Sequence, residues 1–123
     1  MKMLTLTLIA CTLLGQNPGI QRTVLEKKDI SVPGREAIVA HVEITPGSFA
    51  GKHTHAGEEI SYILEGELEL LVDGQPPRNI KKGESFVIPA GAKHNGHNKG
   101  TVPVKFVGVY VVEKGNPLAS PAQ

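Results

Sequence analysis

The chain is short of cysteine. Cys11 is the only one among 123 residues, which excludes an intramolecular disulfide and any cysteine-based zinc site. Charge of either sign is close to balanced, 13 Lys and Arg against 12 Asp and Glu for a formal +1. Without a basic excess there is no electrostatic footprint for nucleic acid or acidic lipid, and no nucleic-acid partner is expected. Long apolar runs are missing as well: the longest, Met3 to Leu14, stops short of the roughly 20 residues a membrane-spanning helix needs. No window of a dozen residues carries a helical stripe. What the chain has instead is turn formers, 14 Gly and 9 Pro, together with abundant Val, Ile and Leu. That mixture points to one globular domain of many short strands and argues against disorder.

The first 15 residues differ in composition. Lys2 is their only charge, and the apolar run that follows has the outline of a secretory signal peptide. Leu8-Ile9-Ala10-Cys11 resembles the lipobox of bacterial lipoproteins, in which the cysteine is acylated. A plainer reading stands beside it, because Leu4, Leu6 and Leu8 alternate with Thr5 and Thr7 as an edge strand would. The expectation is a leader and linker over residues 1–20, with Asn17-Pro18-Gly19 as the turn that ends it, and export to the periplasm or beyond. If the segment is a structural strand, the protein is cytoplasmic.

Beyond residue 20 the apolar positions recur at every second residue. Strands are expected at Glu36–Ile44, Ile60–Leu64, Glu67–Val72, Glu84–Ile88 and Val104–Val112, with Glu65-Gly66 and Asp73-Gly74 as hairpin turns. Closely spaced strands without helices imply an antiparallel sandwich or barrel over residues 21–115, followed by an irregular tail over 116–123. Phe106 to Val112 is apolar at both parities, so a second cover is expected on that strand, from a loop or from the other copy in a homodimer.

Four of the five histidines fall in two windows, His53-Thr54-His55 and His94 with His97. Two residues apart on a strand share a face, so His53 and His55 can present both imidazoles to one point. Ala56-Gly57 can turn the chain so that Glu58 or Glu59 returns toward it, and His94, after Pro89-Ala90-Gly91, would close the set. Three imidazoles and a carboxylate suit a divalent transition metal (iron, manganese, nickel, copper or zinc) and leave positions open for water, substrate or dioxygen.

These residues also carry a family resemblance. Gly47, His53, His55, Glu59 and Gly66 stand at the spacing of the first motif of the cupin superfamily. Gly83, Pro89, Gly91, His94 and Asn98 stand at that of the second. The resemblance implies a small jelly roll β-barrel with one metal held by His53, His55, Glu59 and His94. It favours Glu59 over Glu58 as the carboxylate ligand. The activity implied is a metal-dependent dioxygenase, isomerase or decarboxylase acting on a small molecule. The alternative is a non-catalytic module that senses, carries or protects.

Other residues have plainer readings. His97 is not required by the motif and reads as a surface or supporting residue; Glu58 and His97 are the candidates for proton transfer if there is turnover. His41 reads as a partly exposed strand residue, and Asn98 as a turn pin. Gly47, Gly66, Gly83 and Gly91 read as turn positions needing positive φ. Phe49, Tyr62, Phe86 and Phe106 are candidates for an apolar lining or simply for the core. Lys52, Arg35 and Arg78 could face an acidic substrate, or solvent.

Overall fold

A computed structural model describes residues 18–123, and the expected leader therefore lies almost wholly outside the described residues. Ten strands follow in order: β1 (Ile20–Asp29), β2 (Arg35–Ile44), β3 (His53–Thr54), β4 (Gly57–Glu65), β5 (Glu67–Val72), β6 (Arg78–Lys81), β7 (Ser85–Ile88), β8 (His94–His97), β9 (Val104–Glu113) and β10 (Ser120–Pro121). They form two five-stranded sheets, β1-β2-β9-β4-β7 and β10-β3-β8-β5-β6, antiparallel throughout. The chain crosses between the sheets repeatedly, which is the all-β jelly roll expected from the strand pattern. Among the described residues no helix is long and apolar enough to cross a membrane.

The alternation along each strand decides what faces inward. In β2 Ile38, Ala40, Val42 and Ile44 are buried, and every residue between them is half-buried. β9 runs beside β2 in unbroken register, with Ile38 opposite Tyr110 and Val42 opposite Phe106. Leu68, Leu70 and Ile80 from the second sheet and Phe86 and Ile88 from β7 complete the core. Burying these side chains is worth about 1.5–3 kcal/mol each, so the scaffold is held by apolar packing rather than by any polar cluster. The expected turn glycines Gly47, Gly66, Gly83 and Gly91 all have positive φ, between 72° and 85°.

Five strands were not legible in the pattern. β1 is an edge strand, exposed along most of its length and interrupted by a bulge between Val24 and Glu26, so neither of its faces imposes an alternation. β3 and β8 contain no large apolar residue, and β6 has one, Ile80. The segment expected to be irregular, 116–123, carries β10, which pairs with β3 at the sheet edge. Along β9 the inner residues are buried, while Val107, Val109 and Val111 on the outer face are half-buried rather than fully covered.

Candidate metal centre

The β3/β8 ladder makes His53 and His94 direct antiparallel partners, with ring centroids 4.2 Å apart. His55 follows one residue beyond β3, and its ring centroid lies 4.8 Å from that of His53. The chain then turns at Gly57, whose backbone lies so close to β9 that an added Cβ would sit 1.7 Å from the Val111 carbonyl oxygen. Only glycine fits there, and it starts β4 with the parity that turns Glu59 inward and Glu58 outward. His53, His55, Glu59 and His94 are all buried, and their ligand atoms lie within 4.8 Å of one another.

Backbone carbonyls fix the ring orientations. Nδ1 of His53 donates to Gly51 O at 2.5 Å, that of His55 to Leu118 O at 2.6 Å, and that of His94 to Ala92 O at 2.8 Å. The tautomers follow from these bonds, and each leaves Nε2 as the atom aimed into the cluster. Burial lowers the His53 pKa to about 4, only partly opposed by the Gly51 carbonyl, so this ring is uncharged near neutrality. Burial alone would raise the Glu59 carboxyl. The adjacent His55 and His94 rings and the Ser61 hydroxyl, which donates to Oε2 at 2.7 Å, outweigh it and hold Glu59 well below the usual carboxylate range.

The remaining contacts do not close as hydrogen bonds. Glu59 Oε1 lies 3.0 Å from His55 Nε2 and 3.4 Å from His94 Nε2, yet both buried nitrogens lack a hydrogen-bond partner. A carboxylate oxygen facing two such nitrogens calls for a cation between them. Metal–ligand bonds of about 2.1 Å put neighbouring ligand atoms about 3.0 Å apart at right angles and about 3.4 Å apart in a tetrahedron. The donor set and the two Glu59 separations therefore fit a divalent transition metal.

The same core also decides the family. A sequence profile of the Cupin domain family matches residues 40–112. The chain is a cupin. Acireductone dioxygenase from Rhodopseudomonas palustris is 38% identical over 71 residues, 51% of this chain and 43% of that enzyme. The oxalate-binding protein of Thermotoga maritima is 34% identical over 76 residues, 61% of this chain and 62% of that protein. Oxalate oxidase in complex with the substrate analogue glycolate superposes with a TM-score of 0.66 at 25% identity, covering 85% of this chain and 56% of that one. The chain spans between 30% and 62% of the length of the curated relatives it matches.

Several expected site residues stand apart from the cluster. Glu58 is exposed on the outer side of β4. His97 points away from the lumen, stacked on Phe49 at 3.8 Å with Nδ1 3.0 Å from Glu69 Oε1. Neither is placed to move a proton at the cluster. His41 is half-buried on the outer face of β2. Asn98 pins its turn, donating to Ile44 O and Val102 O and accepting from the Gly100 amide. Phe86 and Phe106 line the lumen, whereas Phe49 and Tyr62 are exposed. Lys52 pairs with Asp73 and Arg35 with Glu113, and Arg78 lies exposed on β6. Two polar lumen residues lie outside both motifs, Arg22 of β1 and Tyr110 of β9. The motif spacing does not reach them; only the pairing of β1 and β9 with β2 brings them to the site.

Proposed function

We propose that this cupin holds one divalent transition metal through Nε2 of His53, His55 and His94 and a carboxylate oxygen of Glu59, and acts with it on a small molecule in the barrel lumen. The observation that carries the reading is the pair of buried, unpartnered Nε2 atoms on His55 and His94 flanking one carboxylate oxygen. Bound there, the metal supplies Lewis acidity or a site for dioxygen. The chain's own part is to orient the imidazoles through the carbonyls of Gly51, Ala92 and Leu118, to keep Glu59 ionised, and to exclude bulk water with Phe86, Phe106 and Leu70. The likeness to acireductone dioxygenase supports an oxygenase reaction.

A binding module without turnover is the second reading. It is favoured by the lumen itself: apart from the cluster, Arg22 and Tyr110 are the only titratable side chains among its described lining residues, and neither is a general base. Metal analysis of tag-free protein tests the shared claim, and less than about a tenth of an equivalent after reconstitution overturns it. Oxygen consumption over catechols, diketones, flavonols and thiols, compared with His53→Ala, separates enzyme from module.

Two further elements belong to this reading. Homodimerisation is supported by the apolar outer face of the first sheet, where Ile60, Tyr62 and Val87 are about half-exposed beside Val107, Val109 and Val111; a monomer in analytical ultracentrifugation overturns it. Export rests on the Met1–Gly15 pattern alone, and fractionation of cells expressing the full chain, with Cys11→Ser as the lipoprotein control, tests it.

A further inference from the structure

Arg22 reaches into the lumen from the edge strand β1. Its Nη2 lies 3.3 Å from His53 Nε2, and its Nε is buried with no hydrogen-bond partner. These two nitrogens form one edge of the guanidinium, the edge that grips a carboxylate with two parallel hydrogen bonds. Among the described residues no carboxylate of the chain forms an ion pair with Arg22. Tyr110 lines the same lumen, its ring centroid 4.8 Å from that of His55. Its phenol adds a hydroxyl group to a lining that is otherwise mostly apolar.

Charge in the lumen leads the same way. Its walls are otherwise apolar, Ile20, Ile44, Leu68, Leu70, Phe86 and Phe106, and Glu59 is the only acid among the described lining residues. Glu59 and Arg22 balance each other in the metal-free protein. A divalent ion on the cluster takes up the Glu59 charge and leaves an excess of two positive charges in an apolar cavity, a costly state unless an anion joins it. The space beside the cluster is about 20 Å³, enough for about one water, so the anion has to be small or has to displace Arg22 partway toward the exposed side of β1.

We propose that Arg22 and Tyr110 form the recognition wall of this site and that its ligand is a small carboxylate, bound between the Nε/Nη2 edge of Arg22 and the open side of the metal. This rests on the metal reading above and extends it to a substrate class and to the residues that select it. Arg22 is a specificity residue contributed by the one strand of the first sheet that is paired on a single side and interrupted by a bulge.

The test uses cobalt-loaded full-length protein, whose visible absorption reports the metal independently of any turnover. Formate and acetate are titrated against wild type, Arg22→Gln, Arg22→Lys and Tyr110→Phe, with acetamide as the uncharged isostere and inorganic phosphate as the tetrahedral anion. Expected are one equivalent of cobalt in all four proteins, carboxylate-dependent band shifts in wild type, at least tenfold weaker carboxylate binding in Arg22→Gln with partial recovery in Arg22→Lys, a smaller loss in Tyr110→Phe, and no response to acetamide. Equal carboxylate affinity in wild type and Arg22→Gln, no carboxylate response in loaded wild type, or phosphate binding as tight as acetate overturns the proposal while the cobalt bands leave the metal reading standing. Absence of cobalt bands in wild type overturns both, and is recognised in the metal arm before any anion is added.

Discussion

His53 and His94 face each other directly across the β3/β8 ladder. Two imidazoles from distant parts of the chain are thereby fixed by backbone pairing, and the apolar core that holds the ladder in place involves neither ring.

Removing either ring should therefore separate binding from folding. His53→Ala and His94→Ala are expected to lose metal, to below about a tenth of an equivalent, while the apo proteins retain the wild-type far-ultraviolet spectrum and a cooperative melt. Elemental analysis and circular dichroism read the two effects independently, and a variant that unfolds without its ring contradicts the assignment of stability to the core.

Ser61 supports the carboxylate ligand from the side away from the histidines, donating to Glu59 Oε2 at 2.7 Å with both groups buried. Ser61→Ala leaves that oxygen unsatisfied at a cost of about 1–3 kcal/mol. Metal affinity is expected to fall about 10- to 100-fold, the usual effect of deleting a group that orients a ligand. Denaturant titration and competition with a chromophoric chelator measure the two.

Acid should destabilise the metal-free protein in a defined window. His53 has a folded-state pKa lowered from 6.5 to about 4, so the unfolded chain takes up this proton first as pH falls. Its contribution is complete above about pH 6.5 and is lost progressively down to about pH 4, by no more than about 3 kcal/mol. Glu59, also lowered, adds a loss of the same sign below the ordinary carboxylate range. Apo melts between pH 8 and 4 test this; His53→Ala should flatten the upper part of the curve.

Glycines at different places should respond differently to alanine. An added Cβ at Gly57 meets the Val111 carbonyl oxygen at 1.7 Å, whereas Gly74, at φ +79°, has nothing within 4 Å. Gly74→Ala is expected to cost about 1 kcal/mol through its backbone alone. Gly57→Ala should cost more than about 4 kcal/mol, or prevent folding, because β4 and β9 must separate. Comparable melting temperatures for the two variants would contradict the close approach.

Part of this protein was legible in its residues. β2, β4, β5, β7 and β9 bury one face, so the period of two is written in their side chains, and their observed bounds lie within a few residues of those expected. β3 and β8 bury His53, His94 and Gly96 instead of aliphatics, and β1 buries almost nothing, so hydrophobic period says nothing of them. The separation of Glu59 from Glu58 followed from motif spacing and is explained by the parity of β4.

The sequence by itself determined an all-β domain and a set of three histidines and one carboxylate at spacings that suit a metal, because strand parity and ligand chemistry are local properties. Tertiary structure alone decided that the Leu118 carbonyl orients the His55 ring and that Arg22 and Tyr110 complete the lumen. Those outcomes depend on which strands lie side by side, and pairing between distant segments is set by the packing of the whole barrel rather than by any neighbour in the chain.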